Sequence, residues 1–119
     1  MFEQGIGASY QRIITLLRLK RPHAAMSVLD HLLQQQEMLG TSQPVQTLEY
    51  FVSRFPLALE FRELLIQHYL EQGRREAALR QLDELGEIQL EAGMFGAAAQ
   101  TIQRIRELMD RNDPPDRAA

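Results

Sequence analysis

Three histidines, His23, His31 and His68, are the side chains whose ordinary pKa best suits proton transfer near neutral pH, and histidine is also the commonest metal ligand. Their spacing fits neither task. A zinc-binding helix of the common type places two histidines four residues apart with a glutamate between them, and no His-Glu-x-x-His occurs in this chain. Asp83, Glu84, Glu87 and Glu91 recur at helical intervals, but general acid–base work needs an environment that displaces a carboxyl pKa, and a solvated helix face provides none. With no cysteine in the chain there is no thiol nucleophile, disulfide, iron–sulfur cluster or Cys-ligated zinc. A nucleophile-elbow Gly-x-Ser-x-Gly, a phosphate-cradling glycine loop and a calcium loop are all missing. Gly5-Ile6-Gly7 is a lone glycine pair that no strand precedes, so it does not read as a nucleotide site. The residues thus lead away from an enzyme: no catalytic residue, no metal and no cofactor is expected.

The chain is built from helix formers. Its 119 residues are 45% hydrophobic and 24% charged, and Leu, Ala, Gln, Glu and Arg dominate. No run alternates apolar and polar residues, and no Asn-Gly or Asp-Gly hairpin turn appears. Ser9 reads as the cap of a first helix reaching about Lys20, with Tyr10, Ile13, Leu16 and Leu17 on its apolar side. Lys20-Arg21-Pro22 ends it, and Pro22 suits the first turn of a second helix through Ala25, Leu29, Leu32 and Leu33 to Leu39. Gly40 stops that helix; a third, carrying Leu48, Phe51, Val52 and Phe55, ends before Pro56. The second half repeats the programme. Residues 57–72 place Phe61, Leu64, Leu65, Tyr69 and Leu70 at helical spacing before Gly73, residues 75–92 carry Ala78, Leu82, Leu85 and Ile88 before Gly93, and a last helix from Phe95 fails at Asn112-Asp113-Pro114. Gly86 lies inside the fifth helix, marking either a close approach or a kink. Residues 1–7 and 112–119 are expected to be mobile.

One domain is implied by the length. The apolar runs are broken too often by Arg, Gln and Glu to cross a membrane. The start, Met-Phe-Glu-Gln-Gly, has no basic and then apolar region of a secretion signal, so a cytosolic location and no membrane partner are expected. The formal net charge of −3 argues against sequence-independent nucleic-acid binding, which draws on clustered Lys and Arg. That charge is unevenly divided: residues 1–56 are net +1, with Arg18, Lys20 and Arg21 crowded together, and residues 57–119 are net −4. Such polarity suits electrostatic choice of partner or self-association.

An internal repeat is visible. Ala25, Leu29-Asp30 and Leu32 recur 53 residues later as Ala78, Leu82-Asp83 and Leu85, and Gly40 recurs as Gly93. One residue is then gained, so that Gln46-Thr47-Leu48 returns as Gln100-Thr101-Ile102 and Phe51 and Phe55 return as Ile105 and Met109. Two copies of a three-helix unit follow, residues 8–56 and 57–111.

The run Leu65, Tyr69, Gly73, Ala78 and Leu82 resembles the tetratricopeptide repeat, in which an aromatic precedes a tight glycine turn and a small alanine follows where two helices cross. Phe55-Pro56 is similar to the proline that closes such a repeat. The pattern returns at Gly93 and Ala98 after only 20 residues, so residues 75–92 serve two hairpins, and in the first half Lys20-Arg21 stands where the turn glycine belongs. The resemblance implies an all-α fold, a right-handed α-solenoid of about six antiparallel helices, acting as a non-enzymatic scaffold that binds a peptide or partner protein in a groove. Carried onto this chain, the groove residues are Glu60, Glu63, Gln67, Leu70 and Glu71, joined by Arg80, Asp83, Glu87 and Glu91. Glu63 and Gln67 replace the Lys and Asn of the branch that clasps a C-terminal carboxylate, so that activity is not implied. A groove this acidic attracts a basic segment. The last helix has nothing after it to cover Ile102, Ile105, Leu108 and Met109, which marks a candidate homo-oligomer face or a junction with further repeats.

Overall fold

A computed structural model describes residues 2–39 and 43–111 of the chain. Six α-helices follow one another: α1 (Phe2–Arg18), α2 (Pro22–Met38), α3 (Gln43–Arg54), α4 (Leu59–Glu71), α5 (Arg75–Glu91) and α6 (Phe95–Arg111). No strand occurs among the described residues. The expected boundaries and the observed ones agree closely except at the first helix. It begins at Phe2 instead of Ser9, so Ser9 lies in its interior and caps nothing. Gly5 and Gly7 each cost about 1 kcal/mol in a helix interior, but extending a helix that is already nucleated is far easier than starting one. Gly40, Thr41 and Ser42, read as the stop after α2, and the tail from Asn112 lie outside the described residues.

Three of the turns between helices share one construction. At the end of α1 the Lys20 amide donates to the Leu17 carbonyl and the Arg21 amide to that of Leu16. After α4, Gly73 donates to Leu70 and Arg74 to Tyr69; after α5, Gly93 donates to Leu90 and Met94 to Gln89. This paired pattern satisfies the last carbonyls of a helix and needs a residue in the left-handed region. Gly73 (φ 74°) and Gly93 (φ 78°) supply it without strain, and Lys20 adopts it at φ 60°. Five residues beyond each turn residue stands a buried alanine, Ala25, Ala78 or Ala98, whose amide closes the first turn of the next helix. A methyl side chain at that place lets the helices meet closely.

The chain divides into two compact units, Met1–Phe61 and Arg62–Ala119. In the first, Phe51 is the centre of the core. It is fully buried, with the rings of Tyr10, Tyr50 and Phe61 at 4.9, 5.1 and 5.8 Å. Ile13, Leu29, Leu32 and Leu48 complete that core. The second unit is packed around Leu65, Ile66, Tyr69, Ala78, Leu82, Leu85 and Ala98. Its α5 runs unbroken through Gly86, which is buried, and a Cβ placed there would lie 3.6 Å from Thr101 Cγ2. Thr101 of α6 therefore packs at ordinary contact distance over this glycine.

Each unit also buries a polar pair at matching places. In the first, Thr47 donates to the Gln36 Oε1 at 3.1 Å and in turn accepts from the Tyr10 hydroxyl at 3.0 Å. In the second, Thr101 donates to the Gln89 Oε1 at 2.7 Å. Gln36 and Gln89 are 53 residues apart, as Ala25 and Ala78 are, whereas Thr47 and Thr101 are 54 apart. The duplicated bond therefore keeps the extra residue gained between them.

Candidate functional site

The expected groove residues on α4 do lie along one exposed face. Glu60, Gln67, Leu70 and Glu71 are exposed and Glu63 is half-buried, opposite the buried stripe Phe61, Leu65, Ile66 and Tyr69. The four residues carried over from α5 do not join them. Arg80, Asp83, Glu87 and Glu91 are all exposed, on the side of α5 opposite Ala78, Leu82, Leu85 and Gln89. From α5 it is Leu82, not these, that lines the cleft formed in the second unit. That cleft, of about 140 Å³, has Leu70 on one side and Arg104, Glu107, Leu108 and Arg111 of α6 on the other.

Nor is this face uniformly acidic. Arg104 of α6 donates to Glu63 at 2.9 Å, with both side chains partly exposed. Arg104 was invisible as a partner in the sequence because 41 residues separate the two. Arg62, on the opposite side of α4, is 2% exposed and donates to Gln81 at 2.7 Å and to Glu84 at 2.8 Å. These bonds join α4 to α5.

The first unit carries a different version of the same face. Tyr10 and Tyr50 stand 53 and 54 residues before Glu63 and Arg104, and where the later pair forms a salt bridge the earlier one makes an aromatic contact with centroids 5.1 Å apart. Arg54 places its guanidinium 5.2 Å from the Tyr50 ring centroid. Beside it opens a cleft of about 540 Å³, with apolar walls from Leu17, Phe55, Leu57 and Ala58 and the cations Lys20 and Arg54 among its lining. A second cleft of about 200 Å³ shares Leu17, Leu57 and Ala58 and adds Glu60. The sequence did not assemble the lining of this cleft. Leu17 and Phe55 stood out as members of apolar stripes, Lys20 as one of a cluster of bases, and Pro22 and Pro56 as helix punctuation, but nothing brought them together.

The proposed oligomer face on α6 divides in two. Ile102 and Met109 are 42% and 57% exposed, whereas Ile105 and Leu108 are half-buried and Leu108 faces the cleft. Phe95, 68% exposed, extends the exposed pair into a stripe with a seven-residue period, Phe95, Ile102 and Met109.

Among the described residues no group of three or more His, Cys, Asp or Glu is placed to hold a metal ion, and no helix is long and apolar enough to cross a membrane. His31 sits 3.4 Å from Gln35 on exposed α2 surface, and His23 and His68 have no His, Asp or Glu brought against them in any such group. Comparison with known proteins finds no matching family model, no significantly similar curated protein and no significantly similar solved structure.

Proposed function

We propose that this chain is a non-enzymatic protein-interaction module of the tetratricopeptide-like kind, its antiparallel hairpins stacked along a right-handed path and one helical face offered to a peptide or partner protein in the cytosol. The observation that carries this reading is the recurrence of an open cleft at matched places in both units, with Leu17 and Leu70, 53 residues apart, each on a cleft wall. Apolar surface next to fixed charge is what peptide recognition uses: the apolar part holds, and the charge selects. The acidic overall balance favours protein over nucleic acid as the partner.

The test is selection of binders from a random linear peptide library displayed against the intact chain. Enrichment of related sequences, lost when Tyr50→Ala or Arg104→Glu is introduced into a still-helical protein, supports the reading. A library that enriches nothing over bare support overturns it.

A second reading, a self-associating unit, is favoured by the stripe Phe95, Ile102 and Met109. A sedimentation coefficient independent of concentration, up to the highest concentration reached, is the result that removes it.

A further inference from the structure

We propose that the cleft of the first unit receives an apolar side chain carried on an acidic stretch of the partner protein. The proposal rests on the interaction-module reading and says what chemistry the partner must have. Its first support is shape. At about 540 Å³ the cleft is within the ~300–1,000 Å³ of ligand-binding clefts, and the adjoining hollow of about 200 Å³ extends it along Leu17, Leu57 and Ala58. Leu57 is 76% exposed at its edge, an apolar side chain held in water beside an apolar hollow. The segment that carries it is held in shape by its own backbone: Phe55 donates to Phe51, Ala58 to Phe55, and Phe61 to Ala58, at 2.8–3.0 Å. A ligand entering here does not have to order a loose loop, which removes one cost of binding.

Charge is the second support, and it decides the sign of the partner. Lys20 and Arg54 are the charged residues lining the larger cleft, and no acid lines it. Arg54 is steadied by its place over the Tyr50 ring. Arg18 and Arg21, both exposed, stand beside Lys20 in the chain, and the one acid lining the adjoining hollow is Glu60. The second unit's cleft is unlike this one. It is about a quarter of the volume, its Arg104 is already engaged by Glu63, and its other cation, Arg111, shares the lining with Glu107. An acidic segment is therefore drawn to the first cleft more strongly than to the second, and the whole-chain charge of −3 does not predict this.

The same displayed library tests it. Enriched peptides are expected to hold a Leu, Ile, Met or Phe flanked by Asp or Glu. A fluorescein-labelled peptide of that composition, titrated by fluorescence anisotropy at low salt, should bind the intact chain. Its affinity should fall roughly tenfold for Arg54→Glu and for Leu57→Asp. Both sites are exposed, so the fold is expected to survive, and far-ultraviolet circular dichroism checks it. Arg106→Glu, exposed on α6 and outside either cleft, removes the same charge and should change affinity by no more than about twofold. The same peptide with Lys in place of its acids should bind Arg54→Glu better than the intact chain. Enriched peptides without acids, or an affinity indifferent to both Arg54→Glu and Leu57→Asp, overturn the proposal. If binders appear but respond only to Arg104→Glu, the cleft assignment fails while the interaction reading stands, and an empty selection removes both.

Discussion

Lys20 is the one described non-glycine residue at positive φ, and it stands where the second unit has Gly73. A side chain in the left-handed region costs about 1–2 kcal/mol, whereas replacing it by glycine gives the unfolded chain extra freedom worth about 0.4–1 kcal/mol. The first effect is the larger, so Lys20→Gly is expected to stabilise the protein by about 0.5–1 kcal/mol, read as a raised urea midpoint at constant slope. A lowered midpoint would mean that the lysine contributes more to this turn than its backbone conformation costs. The buried Gln–Thr pairs give a second prediction at this scale. Thr101→Val leaves the Gln89 carbonyl without the hydroxyl that donates to it, at an expected cost of about 1–3 kcal/mol. Adding Gln89→Leu removes the stranded group, so the double variant should be more stable than the single one, and a double-mutant cycle measures the difference. In the first unit Thr47→Val should cost more than Thr101→Val, because the Tyr10 hydroxyl loses its acceptor as well.

Between elements, the bonds from Arg62 to α5 are the buried charged fastening of the second unit, beside the more exposed Arg104–Glu63 pair. The guanidinium is buried while Glu84, its anionic partner, is 61% exposed. Removing the partner of a buried charge is worse than replacing the charge by an apolar group of similar length. Glu84→Ala is therefore expected to cost about 1–3 kcal/mol and Arg62→Met less than about 1.5 kcal/mol, compared by chemical denaturation. The reverse order would show that Arg62 matters through its packing and not its charge. Helices of this kind were legible from local signals alone. Pro22, Gly73 and Gly93 punctuate the chain, and the apolar spacing between them fixes α2, α4, α5 and α6 to within a residue or two. The start of α1 was not legible, since glycines at 5 and 7 argue against a helix that forms regardless. The site was legible only in part. Exposure of the α4 face follows from periodicity, but Glu63–Arg104 and Tyr10–Tyr50 join residues about 40 apart, and no periodicity within one helix says which faces meet. The α5 residues were carried over by resemblance, and the burial of Leu82 and Leu85 turns them the other way.

At the scale of the whole molecule, the repeat makes equal positions unequal by their neighbours. Leu48 and Ile102 are equivalent in sequence, 54 residues apart, yet Leu48 is fully buried within the first unit and Ile102 is 42% exposed. The same split separates Phe51, fully buried, from Ile105, which is half-buried. Phe51 meets the Phe61 ring edge-on, and among the described residues of the second unit α6 has no counterpart of that ring against it. One substitution at the two sites should then have opposite outcomes. Leu48→Glu buries an unpaired carboxylate and is expected to cost more than about 4 kcal/mol or to abolish folding, while Ile102→Glu should stay within about 0.5 kcal/mol of the parent. Thermal unfolding followed by circular dichroism, at two protein concentrations, makes the comparison. If Ile102→Glu proves nearly as damaging as Leu48→Glu, and the parent's midpoint rises with concentration, then the stripe Phe95, Ile102 and Met109 is covered in solution by a second copy of the chain. A midpoint independent of concentration, with Ile102→Glu harmless, leaves that face open to water and gives the first unit's cleft the stronger claim as the place where a partner binds.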